Sequence, residues 1–189
     1  MPRRPVSSVS TVLILHPAIL VVVILAERLA MLGRDPEHAP HTVVMWYLMR
    51  ELTAPELRVL LRAVWTNVEL PSRILETHYW LAMFRDAGFV TDDAQRAIAV
   101  RRRSLTVWRG ATPRYSKGMS WTLDIDHARR FAHRELTVFG CDDAAVFKAK
   151  VPRQHVLAMF FGRRAESEVV VNPRTLRGSA EPRMVETAA

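Results

Sequence analysis

The chain changes its hydrophobic period near Arg101–Arg103, and this change constrains the fold more than any other feature. Before it, from Pro36 to Ala99, apolar residues recur at the three- and four-residue spacing of amphipathic helices. After it, from Ser104 onward, apolar and polar residues alternate as they do in half-buried strands. A helical part followed by a strand-rich part predicts an α+β fold.

The length of 189 residues is enough for one hydrophobic core with a short appendage. We expect a single domain over residues 36–178, divided into a helical part at 36–104 and a strand-rich part at 105–178. Residues 1–35 are predicted to be an apolar leader or tail, and residues 179–189 a flexible C-terminal tail.

The leader contains an apolar run at Thr11–Ala26 that is interrupted by His16 and Pro17. A helix needs about 20 apolar residues to cross a bilayer, so we expect no stable membrane span. The run also fits a secretory signal, a membrane-associating tail, a helix packed on the body, or a start codon assigned too early. Because no clear cleavage site follows it, we expect a cytoplasmic protein, and export stays an alternative.

The charge and the cysteine content restrict the classes of partner and site. A net charge of +8 favours an anionic partner, whether a dinucleotide, a nucleic acid or an acidic protein. Cys141 is the only cysteine, which excludes an intrachain disulfide and a zinc site built from cysteines. Asp124, Asp126 and His127 together suggest a metal, but a helix cap and an acidic first turn explain the two acids more simply. We therefore predict no metal.

The segment Thr53-Ala54-Pro55-Glu56 has the pattern of a capping box and predicts a helix that runs to about Asn67. The apolar residues of this helix share one face at the spacing of a core stripe, and they are Leu57, Leu60, Leu61, Val64 and Trp65. We therefore expect Trp65 to be a core residue.

Two motifs early in the strand-rich part carry groups suited to binding. A strand beginning at Ser104 ends in Arg109-Gly110, where an arginine can hold a phosphate or carboxylate and a glycine lets a ligand approach the backbone. Ser120 and Thr122 share one face of the next short strand, and Trp121 points to the other.

A third motif places Glu166 and Glu168 one residue apart at the start of a β-branched run. In a strand the two carboxylates project from the same face, where they repel each other unless something pairs them. Taken alone, the pair is typical of a solvated edge strand. The motifs upstream favour a site instead.

In this order, Trp108-Arg109-Gly110, Ser120-Trp121-Thr122 and Glu166-Ser167-Glu168 resemble the mono-ADP-ribosyltransferases of the arginine, serine, glutamate class. The resemblance covers about residues 105–173. It implies N-terminal helices followed by a split β core of two mixed sheets. It also implies an enzyme that transfers ADP-ribose from NAD to an acceptor and releases nicotinamide.

The resemblance implies a role for each matching residue. Arg109 is similar to the arginine that holds the NAD phosphates, and Gly110 to the residue whose backbone meets the nicotinamide amide. Ser120 and Thr122 resemble the residues that brace the site and orient the catalytic glutamate. Glu168 is similar to that glutamate, which binds the ribose and stabilises positive charge as nicotinamide leaves.

Four further positions follow from the same resemblance. Glu166 matches the catalytic position that helps to activate the acceptor, and a glutamate there resembles the arginine-modifying members. Phe131 and Arg134 resemble the aromatic residue that packs on nicotinamide and the arginine that adds a phosphate contact, although Phe131 is equally well explained as helix core. Trp121 replaces the middle threonine of the family motif, and we expect its side chain to face away from the site.

We therefore predict an NAD-dependent ADP-ribosyltransferase, with NAD as co-substrate, no metal, and a protein arginine as the favoured acceptor. NAD hydrolysis and modification of nucleic acid are the enzymatic alternatives. A non-catalytic basic binding protein on the same fold, which contacts nucleic acid through Arg101–Arg103, is the alternative from another class.

Overall fold

The computed structural model describes residues 17–68, 70–94, 97, 103–162 and 167–188. The described helices are α1 (Pro17–Arg34), α2 (Ala39–Leu48), α3 (Ala54–Asn67), α4 (Pro71–Ile74), α5 (Thr77–Ala87) and α6 (Ile125–Thr137). The described strands are β1 (Val90–Thr91), β2 (Ser104–Ala111), β3 (Ser120–Thr122), β4 (Ala145–Pro152), β5 (Val156–Phe160), β6 (Glu168–Val171) and β7 (Arg183–Thr187). The predicted α+β class is confirmed.

The described strands form one mixed seven-stranded sheet in the order β1-β5-β6-β3-β2-β4-β7, so the expectation of two sheets was wrong. β1 pairs in parallel with β5, and the other neighbours are antiparallel. The physical reason is the joint between β2 and β3, where Trp108 pairs with Thr122 and connects the two halves into one sheet. This joint is narrow, because it consists of a single register pair. By contrast, β2 and β4 pair at every position from Ser104 to Ala111.

Two segments differ from the domain plan expected from the sequence. The part at 36–104 is not wholly helical, because β1 adds a parallel strand to β5 at the edge of the sheet. The C-terminal segment at 179–189 is not simply a flexible tail, because β7 pairs with β4. Arg129 of α6 holds this strand through Glu186, with 3.0 Å between Nη2 and Oε2.

The helical part packs on one face of the sheet and brings α3 next to it. The capping box of α3 forms as predicted, with the Thr53 backbone N–H donating to Glu56 Oε2 at 2.8 Å. The predicted stripe of α3, which includes Trp65, is buried. A second core on the other face of the sheet includes Trp121 and Val169. The expectation that Trp121 faces away from Ser120 and Thr122 is therefore confirmed.

The apolar leader is described from Pro17 onward, where α1 begins. Leu25, Leu29 and Leu32 of α1 contact the helical core, so the C-terminal half of this helix packs on the body. The side chain of Val22, in the other half, is 66% exposed. Within the described ranges, the structure contains no helix that combines the length and the apolar content required to cross a membrane.

Candidate active site

Strand β6 begins at Glu168 and places its carboxylate beside β3. In the antiparallel ladder between β3 and β6, Thr122 lies opposite Glu168 and Ser120 lies opposite Val170. The Ser120 hydroxyl donates a hydrogen bond to Glu168 Oε1 at 2.6 Å. This length is typical of a hydroxyl bonded to a charged carboxylate. Ser120 thus contacts the glutamate that the family resemblance implies it orients.

The carboxylate of Glu168 accepts a second hydrogen bond from the helical part, which sequence reasoning missed. The Trp65 indole N–H donates to the same Oε1 atom at 2.9 Å. The ring of Trp65 is only 2% exposed, so its prediction as a core residue is confirmed. Helical periodicity identifies a buried face, but it contains no information about a partner 103 residues away.

Arg109 lies near the end of β2, where it connects the sheet to the turn before β3. Its Nε donates to the Tyr115 carbonyl oxygen at 3.0 Å, and its Nη1 donates to the Ser120 carbonyl oxygen. Two of the five guanidinium N–H donors therefore hold this turn in place. Gly118 makes room for the guanidinium, because a Cβ at that position would lie 2.5 Å from Arg109 Cζ.

The surroundings of Arg109 lower its pKa to about 10, because burial removes water from the charged group. Glu135 and Glu168 oppose this effect through their negative charges. The guanidinium is therefore positively charged at neutral pH and loses its charge only as the pH rises through about 10. The residue provides a fixed cation next to the Glu168 carboxylate.

Gly110 lies where helix α6 crosses strand β2. A Cβ at this position would lie 2.1 Å from the Ala128 carbonyl oxygen and 2.3 Å from the Ala132 nitrogen. Both atoms belong to the helix backbone, which cannot move aside like the end of a flexible side chain. The close contact with α6 by itself accounts for a glycine at this position, and the approach of a ligand to its backbone stays a prediction.

Thr122 lines the cavity and also forms a hydrogen bond at the start of α6. Its hydroxyl accepts a hydrogen bond from the Asp124 backbone N–H at 3.1 Å. Asp124 then caps the helix by accepting from the Asp126 N–H at 2.9 Å, as predicted. The structure places Thr122 beside Glu168 in the ladder, but this hydroxyl contact is made to the helix start.

Helix α6 turns a stripe of polar and aromatic side chains toward the cavity. His127, Phe131, Arg134 and Glu135 all line it, at the spacing of one helix face. Phe131 is half-buried, whereas Ala128 of the same helix is fully buried. Phe131 therefore belongs to the cavity wall and not to the core. His127 and Glu135 lie four residues before and after Phe131, and this helical spacing is the signal that could have identified them as wall residues.

One cavity brings together the predicted site residues that the structure describes. Its water-accessible volume is about 120 Å³. Its walls include Arg109, Gly110, Ser120, Thr122, Phe131, Arg134 and Glu168. Sequence reasoning missed further wall residues, which include Trp65, Trp108, His127 and Glu135. Glu166 lies outside the described residues, so its predicted role stays a prediction.

The cavity combines a carboxylate, a half-buried cation and aromatic surfaces. No protein-family model, curated protein or solved structure matches this chain. Among the residues that the structure describes, no group of three or more His, Cys, Asp or Glu side chains is placed to hold a metal ion. A carboxylate held rigidly in a partly water-excluded site can stabilise positive charge that develops on a bound molecule.

Proposed function

We propose that this chain transfers ADP-ribose from NAD to an acceptor, and that a protein arginine is the favoured acceptor. The observation that carries the proposal is the convergence of Arg109, Ser120 and Glu168 in one cavity. These residues come from three separate motifs of the resemblance, and the 2.6 Å bond from Ser120 to Glu168 joins two of them directly.

The groups that line the cavity fit the chemistry of NAD. Arg109 and Arg134 are cations suited to its phosphates, and Phe131 and Trp108 offer ring surfaces suited to its flat nicotinamide. When bound, NAD would supply a ribose carbon whose bond to nicotinamide breaks, with both electrons leaving on the nicotinamide. An acceptor nitrogen would bond that carbon and release its proton to water.

Glu168 is the residue that we propose for stabilising this reaction. Positive charge develops at the ribose carbon as the bond to nicotinamide breaks, and a nearby carboxylate lowers the energy of that state. The hydrogen bond from Ser120 holds the carboxylate in one orientation before the substrate binds. Such preorganisation matters because the carboxylate then needs no rearrangement during the reaction.

The proposal is tested with NAD labelled separately on its nicotinamide and on its adenylate phosphate. The protein is incubated with each form and either a protein mixture or a small guanidinium compound. We expect release of labelled nicotinamide and transfer of the adenylate label to the guanidinium acceptor. Release without transfer indicates NAD hydrolysis, and label on added nucleic acid indicates nucleic-acid modification. No release, together with salt-dependent nucleic-acid binding, supports the non-catalytic alternative.

The Gly118→Ala variant tests whether the position of Arg109 matters for binding. The added Cβ meets the guanidinium at 2.5 Å, so the side chain of Arg109 must move and its hydrogen bonds to the turn weaken. We expect NAD to bind roughly tenfold more weakly, the size of one lost charge-assisted interaction, with a free energy of unfolding lowered by about 1–3 kcal/mol. Calorimetric titration and denaturant melts measure these two quantities. Unchanged NAD affinity would contradict a binding role for Arg109.

A further inference from the structure

We propose that Trp65 is a positioning residue that fixes the orientation of the Glu168 carboxylate, an inference that rests on the proposed function of Glu168. The indole N–H donates to Oε1 at 2.9 Å, and the Ser120 hydroxyl donates to the same oxygen at 2.6 Å. Trp65 belongs to the helical part and Ser120 to the sheet. The carboxylate is therefore held by two elements that come from different parts of the fold.

The two donors together restrict the rotamer of Glu168. Hydrogen bonds weaken steeply when the donor and acceptor are misaligned, so rotation of the carboxylate loses both bonds at once. The Ser120 hydroxyl can rotate to follow a moving oxygen, whereas the indole N–H direction is fixed by the ring. Trp65 therefore imposes the stricter geometric constraint on Glu168.

The ring of Trp65 is itself immobilised by the aromatic core. Its centroid lies 5.0 Å from that of Trp80 and 5.2 Å from that of Phe84, both in edge-to-face arrangements. These three side chains are 2%, 0% and 1% exposed, respectively. Close-packed side chains in a core cannot shift without disturbing their neighbours. Because the Trp65 ring is held in the helical core, its hydrogen bond restricts the position of the Glu168 carboxylate.

The chemistry of the indole suits this task. Its N–H is a donor without acceptor capacity, and it does not ionise, so it offers the carboxylate the same donor throughout the working pH range. A buried indole N–H also requires an acceptor, and Glu168 provides one. Phenylalanine fills most of the same volume without the donor, which makes the role separable from packing.

The test compares Trp65→Phe with Val151→Ala in the full chain. Val151 is the control for lost stability, because it is 0% exposed in the second core and lies outside the cavity wall. We expect Trp65→Phe to lower kcat for nicotinamide release roughly tenfold with KM within about twofold, since only the orientation of the reacting carboxylate changes. Val151→Ala should lose comparable stability but keep kcat within about twofold. Equal kcat losses in the two variants would overturn the proposal.

A spectroscopic measurement tests the same contact without turnover. In a ¹H–¹⁵N spectrum, the Trp65 indole signal is assigned by its absence from Trp65→Phe, and we expect it to move when Glu168 is replaced with glutamine. The Trp80 indole signal should stay in place. A Trp65 signal whose chemical shift is the same in wild type and in the Glu168→Gln variant would overturn the positioning role. If the protein releases no nicotinamide but this signal moves, the proposed function fails while the positioning of Glu168 stands.

Discussion

Replacing Glu168 with glutamine should lower kcat for nicotinamide release by about a thousandfold, with KM changed far less. The amide has nearly the same shape as the carboxylate, and its oxygen can still accept from the Ser120 hydroxyl and the Trp65 indole. The substitution therefore removes the negative charge while the fold and the cavity stay intact. Steady-state kinetics with nicotinamide-labelled NAD measure the effect.

Glu135 provides the matched control for this experiment. It lines the same cavity, and its charge also acts on Arg109. Glu135→Gln removes one negative charge from the cavity wall while Glu168 and its two donors are retained. We expect this variant to lose less than about tenfold in kcat. Similar losses in the two variants would mean that the total charge of the cavity matters and that Glu168 has no special role.

The features predicted correctly from the sequence are those determined by local periodicity. The capping box at Thr53–Glu56 and the stripe of α3 involve residues within one helix, so their spacing alone predicts the start of the helix and its buried face. The alternation around Trp121 likewise predicts which side chain turns to the second core. In each case the interacting atoms are close in sequence.

The features that were missed depend on pairing between distant segments. The single sheet results from one register pair, between Trp108 and Thr122, which periodicity within either strand cannot predict. Strand β7 has no fully buried residue, because it lies at the edge of the sheet. Such a strand lacks the apolar alternation by which strands are recognised.

In the site too, some residues could be predicted from the sequence and others could not. Ser120 and Glu168 could be paired in advance, because their motifs occur in an order that resembles a known family. Trp65 could not be assigned to the site, because its apolar neighbours explain its position completely and its contact with Glu168 is made by the indole N–H. When one residue belongs to both the core and the site, its sequence pattern is that of a core residue, and the pattern does not reveal its contact with the site.

The Gly110→Ala variant should lose about 3 kcal/mol or more in its free energy of unfolding. The added Cβ would meet the Ala128 oxygen at 2.1 Å and the Ala132 nitrogen at 2.3 Å, so helix α6 must move away from strand β2. That movement opens the packing of Ala128 and Ala132 against Val146. Denaturant-induced unfolding measures the change.

Gly33→Ala is the control for Gly110→Ala, because a Cβ at Gly33 would meet nothing within 4 Å. Alanine should stabilise that position in α1 by up to about 1 kcal/mol, since it restricts the unfolded chain. The pair of variants separates two interpretations of Gly110. A large loss of stability supports the close contact with α6. Wild-type stability combined with lost NAD binding would instead support the approach of a ligand to the bare backbone, as the family resemblance implies.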